Sequence, residues 1–151
     1  MGVVQIFRVA GRIGRKEFWV IWMAIILAGA LGGLITGLAG GNRAGVSTVE
    51  GLLLLGFYVI ATWVSIAISV KRLHDTGRSG WWLAKFMVLA AAPWSCTFLA
   101  ALAGGLISTW LAPALAIVGI GVGGYSWYLI GFKRGEPGVN DYGLPGSGSA
   151  C

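Results

Sequence analysis

The chain has little charge. Lys, Arg, Asp and Glu make up 11 % of its 151 residues, against about 25 % in a soluble globular domain. From Phe86 to Phe132 no side chain is charged. A soluble fold does not leave such a run unbroken, whereas about 20 apolar residues rising about 1.5 Å each cross a bilayer core of about 30 Å. Carboxylates are the scarcest charge: Glu17, Glu50, Asp75, Glu136 and Asp141 are the whole set, and no paired-carboxylate motif, Ser-His-Asp set or Gly-rich phosphate loop is present. His74 is the only histidine, which argues against a metal site. The two cysteines, Cys96 within an apolar run and Cys151, supply neither metal spacing nor a disulfide framework.

What is abundant is apolar: 57 % of residues are hydrophobic, mean hydropathy is +0.82 and 26 residues are Gly. The pattern predicts an all-α integral membrane fold, one domain over 1–143 of four transmembrane helices with a cytoplasmic polar cap. The spans are expected at about 18–39, 51–70, 81–103 and 106–132, with a flexible tail over 144–151. The first is too long for a signal-peptide core and reads as a retained anchor. A short loop is expected over 40–50 and a tight turn at Ala103-Gly104-Gly105. Pro93 should kink the third span by removing a backbone donor.

Net charge is +6. A basic balance can mean nucleic acid, but no basic helix or aromatic-basic face of that kind is present, so no nucleic acid is expected. Cations instead sort by position. Arg8, Arg12, Arg15 and Lys16 precede the first span. Lys71, Arg72, Arg78 and Lys85 surround the connector between the second and third. Lys133 and Arg134 follow the fourth. With four spans these ten share one side and Arg43 lies opposite; three spans would break the sorting. Positive residues favour the cytoplasmic face, so both termini are expected in the cytoplasm.

Gly29, Gly33, Gly37 and Gly41 recur every four residues, which lines them up on one helix face. Gly29, Gly33 and Gly37 are expected to form a packing groove, with Ala61, Ser65 and Ser69 as a candidate facing stripe. The most polar stretch is Val70 to Trp82. Lys71 to Gly80 reads as a connector, with Asp75 accepting from the Gly77 N–H in an Asx turn and Ser79 capping the next helix. Lys85 either snorkels to the headgroups or pairs with Glu17 or Asp75. Both a short interfacial helix and a solvated lead-in fit residues 1–17. Gly11-Arg12-Ile13-Gly14 and Gly77-Arg78-Ser79-Gly80 form a short Gly-Arg-x-Gly repeat. His74-Asp75 beside Arg72 and Arg78 can be read as an acid-base pair, although adjacent helical residues do not face each other. The competing reading is an interfacial ion network of Arg12, Arg15, Glu17, Arg72, Asp75 and Arg78 that binds anionic headgroups.

Three blocks resemble a known family: Gly11-Arg12 with Arg15, Glu17, Phe18 and Trp19; Arg72 to Trp82; and Gly135, Gly138, Asn140, Tyr142 and Gly143. They are similar to the YhaH/YhaI-like small bacterial inner-membrane proteins, grouped as a domain of unknown function. The resemblance implies a four-span plasma-membrane protein and supplies no activity, substrate or cofactor. The candidate site is therefore a polar cluster for lipid or partner contact: Arg12, Arg15, Glu17, Arg72, His74, Asp75, Arg78 and Asn140. No catalytic residue, metal or cofactor is expected. The function expected is non-enzymatic, with anionic lipid or a partner protein on the cap; a homo-oligomer or a partner membrane protein is a further expected association. The alternatives are an oligomeric transporter or channel subunit, and a membrane enzyme acting on lipid headgroups.

Overall fold

The computed structural model describes residues 3–39, 48–103 and 106–145. They form α1 (Val3–Phe7), α2 (Arg15–Ala39), α3 (Thr48–Asp75), α4 (Trp81–Ala103), α5 (Leu106–Trp127) and a closing π-helical turn (Tyr128–Phe132). No strand occurs among the described residues; Asn140 and Gly143 form an isolated bridge. The four long helices are each apolar and long enough to cross a membrane, so the fold is all-α with four membrane-spanning helices. Gly41, the other residues of 40–47, the Gly104-Gly105 turn and residues 146–151 lie outside the described residues.

Two helices extend beyond the expected spans. α2 begins at Arg15, and the Gly14 carbonyl accepts from Phe18 N–H at 3.0 Å. α3 runs on through Lys71, Arg72, Leu73 and His74 to Asp75. These five residues were expected in the connector and are helical instead, because Leu73 is buried in the core and Lys71, Arg72 and Asp75 are buried beside it. The helix then stops on Gly77, whose φ is +72°. Gly77 N–H donates to the His74 carbonyl at 3.1 Å and Arg78 N–H to the Leu73 carbonyl at 2.9 Å. This crossed pair is a Schellman motif with glycine in the left-handed position. The expected Asx turn is thus replaced by backbone bonding, and the Asp75 carboxylate is directed elsewhere.

At Gly29 an added Cβ would lie 3.4 Å from the Phe57 ring; at Gly33 and Gly37 it would meet no atom within 4 Å. The chain's own helices therefore close on the first of these glycines and not on the other two. α4 and α5 share the most extensive helix contact. There Gly119 admits Trp94 and Pro93, with the indole nitrogen only 3.0 Å from where a Cβ would stand.

The core lies toward one end of the bundle. Ile13, Phe18, Val64, Ile68, Leu73, Phe86, Leu129 and Ile130 form one buried cluster. This end holds the start of α2, the end of α3, the start of α4 and the end of the π turn. Away from it, Leu31, Leu34, Ile35 and Leu38 of α2 are exposed, as are Leu52 and Leu53 of α3 and Leu99 and Leu102 of α4. Leu38 is 75 % exposed. Apolar surface on that scale needs lipid as its solvent, since acyl chains are as apolar as the side chains they touch.

Candidate functional site: a polar cap tied by Arg12, Arg72 and Asp75

The cap is built on the end of α3. Asp75 is fully buried and receives two guanidiniums: Arg12 Nε at 3.1 Å on Oδ1, and Arg72 Nη1 on Oδ2. Burying charge is unfavourable unless each group is paired and its remaining donors are answered. Arg12 meets that condition in full. Its five N–H groups find Asp75 Oδ1, the Asp75 carbonyl at 3.4 Å, the Gly138 carbonyl at 2.6 Å, the Gly143 carbonyl at 3.2 Å and the Glu136 carbonyl. Arg72 also donates to the Lys133 carbonyl, while its buried Nε has no partner among the described residues.

These bonds fold residues 133–145 back over the bundle as a strap. Glu136 N–H donates to the Asp75 carbonyl at 2.8 Å. Asn140 Nδ2 bridges the His74 carbonyl at 3.0 Å and Glu136 Oε2 at 2.9 Å, and its Oδ1 accepts from Tyr142 N–H at 3.0 Å. Tyr142 stacks on His74, centroids 3.9 Å apart and 3° from parallel, and His74 Nδ1 lies 3.2 Å from the Gly11 carbonyl. The π turn delivers the strap: Lys133 N–H reaches back to the Tyr128 carbonyl at 2.9 Å, and the Gly131 carbonyl accepts from Trp19 Nε1 at 3.1 Å. Gly135 passes so close to Asp75 that a Cβ would lie 1.9 Å from its Oδ2.

Arg12, Arg72, His74, Asp75 and Asn140 therefore come together. Arg15, Glu17 and Arg78 do not join the ion pairs: among the described residues the only two are Arg12–Asp75 and Arg72–Asp75. Arg78 lies over the Trp82 ring at 4.7 Å, and its buried Nη1 has no hydrogen-bond partner among the described residues. Lys85 lies over the same ring at 4.9 Å rather than on Glu17 or Asp75. His74 and Asp75 diverge, one to Tyr142 and the other to the two arginines, which separates the acid-base pair that headgroup chemistry would use. No group of three His, Cys, Asp or Glu suited to a metal occurs among the described residues.

The family model described as "Protein of unknown function (DUF805)" matches residues 6–144. The chain belongs to this family. The DUF805 match takes in α2 to α5, the lead-in and the strap. Among individual relatives, the uncharacterized protein YiiR of Escherichia coli K12 is 41 % identical over 86 residues, 57 % of this chain and 52 % of YiiR. The inner membrane protein YhaH of the same strain is 38 % identical over 80 residues, 52 % of this chain and 62 % of YhaH. The inner membrane protein YhaI is 34 % identical over 80 residues, 52 % of this chain and 61 % of YhaI. The matches thus span between half and two thirds of these relatives' lengths. No solved structure matches the chain.

In this DUF805 chain the roles that sequence reasoning does not show are mostly those of acceptors. Gln5, Gly11, Lys133, Glu136, Gly138 and Gly143 act through backbone carbonyls. A carbonyl has no side-chain signature. The available signal is arithmetic: eleven cations outnumber five carboxylates, so any buried arginine has few carboxylates to meet its five donors and main-chain carbonyls are the other acceptors.

Proposed function

We propose that this chain is a non-enzymatic, multi-pass protein of the bacterial inner membrane, with both termini and the cap cytoplasmic, and that the cap gathers anionic lipid headgroups. The observation that carries this reading is the distribution of unanswered charge. Ten of eleven cations belong to the cap end. Arg12 and Arg72 share Asp75, and Lys71 is buried away from the surface against a neutral carbonyl. The other seven, Arg8, Arg15, Lys16, Arg78, Lys85, Lys133 and Arg134, form no ion pair among the described residues. Each basic residue near an anionic surface contributes about 1 kcal/mol of attraction. Placement in the inner membrane is supported by the names of YhaH and YhaI and by the four apolar helices; the cytoplasmic side is supported by the charge asymmetry.

The test is lipid composition. Lys16, Lys85 and Arg134 are exposed and form no ion pair. Protein extracted with its native lipids should be enriched in anionic phospholipid over the bulk membrane. Replacing these three residues by Gln should reduce the enrichment at least threefold without changing expression. Unchanged enrichment removes the reading.

A further inference from the structure

A recess of about 390 Å³ lies between α1, the lead-in and α3, lined by Gln5, Arg8, Ala10, Gly11, Arg12 and Lys71. Three cations and no carboxylate line it. Arg12 spends its five donors on Asp75 and the strap, which leaves Arg8 and Lys71. Lys71 is only 2 % exposed, and its ammonium donates to the Gln5 carbonyl. An ammonium carries three N–H donors. Among the described residues Lys71 has one acceptor, a neutral one, and no ion pair. A buried cation in that condition is unfavourable and calls for an anion. Arg8 is exposed at the rim.

The depth of the recess suits a lipid phosphate. Val70 closes the apolar run of α3, and Lys71 follows it at once. Trp63, about 12 Å further into the bundle by helical rise, donates from Nε1 to the Phe7 carbonyl at 3.1 Å and fixes α1 along α3. Because Lys71 stands where that apolar run ends, the recess opens at headgroup level, and at about 390 Å³ it is larger than a bare phosphate ion.

We propose that this recess is a discrete phosphate site, with Lys71 at its floor and Arg8 at its rim, which takes the phosphate of a phospholipid or of a soluble phosphate ester. It shares ligand chemistry and Arg8 with the proposed function, but Lys71 belongs to the recess alone and Lys16, Lys85 and Arg134 to the wider cap, so either can fail alone.

The test is native mass spectrometry of the full chain in detergent, titrated with phosphatidylglycerol, with diacylglycerol, and with glycerol phosphate or inorganic phosphate as competitors. Wild type should retain one phosphatidylglycerol and no diacylglycerol. Arg8→Gln and Lys71→Met should each lower retention at least tenfold, while the Lys16, Lys85 and Arg134 triple variant should retain it. Arg8 is exposed, so its variant answers the question even if Lys71→Met misfolds. Displacement of the lipid by inorganic phosphate supports the site and identifies a soluble source; resistance supports it and identifies the headgroup. Equal retention by wild type and Arg8→Gln, or equal retention of diacylglycerol, overturns the proposal.

Discussion

At the scale of single residues, the cap depends on one carboxylate. Asp75 answers two buried guanidiniums, and the strap is bonded to the same residues. Asp75→Asn keeps size and removes the charge. It leaves two arginines uncompensated in a dry setting, a change that costs about 3–5 kcal/mol when one partner of a buried pair is lost. Thermal unfolding in detergent should show a large drop in midpoint, well beyond that of an exposed change such as Asp141→Asn. An equal response from both would mean that the pairs contribute little. The participants Arg12, Arg72 and Asp75 were legible in the sequence because polar residues at the ends of apolar runs stand out. Their pairing was not. Arg15, Glu17 and Arg78 have the same composition-level signature, yet partner choice depends on where residues 133–145 return, and nothing in that Gly- and Pro-containing segment has a period to read.

At the scale of elements, the informative difference is the extra length of α3. An apolar count ends that helix at Val70, because it reads Lys71 and Arg72 as solvated. Leu73 and the buried pairs carry it one and a half turns further. The Asx turn expected from Asp75 to Gly77 N–H places the turn at the right glycine, which tolerates positive φ, but the backbone supplies the bonding in place of the side chain. Gly77 has a second constraint. An added Cβ would lie 2.2 Å from Glu136 Oε1, so the Glu136 side chain of the strap would have to move aside. Gly77→Ala should destabilise by about 1–2 kcal/mol from the left-handed backbone alone. It should also speed hydrogen exchange over 133–145 relative to α4. Protection unchanged in the strap would show that the two elements are independent.

At the scale of the whole molecule, the spans were legible because a bilayer imposes both a length and a composition on whatever crosses it. The burial gradient was not legible, since exposed Leu38 and buried Leu73 are the same residue type. In the structure, the strap from the last helix and the lead-in to α2 meet on Asp75, so positions 8 and 134 must lie on the same side of any membrane that the four helices cross. This ties topology to a contact, independently of charge counting. A chain with Cys96 and Cys151 replaced and a single cysteine placed at 8, 43 or 134 turns this into a labelling experiment. A membrane-impermeant maleimide added outside spheroplasts should modify position 43 alone, and 8 and 134 only after permeabilisation. Labelling of 43, 8 and 134 all reversed would keep the bundle and invert its orientation, removing the cytoplasmic cap. Labelling that separates 8 from 134 would be incompatible with Arg12 reaching the strap, and with it the four-span arrangement would fall.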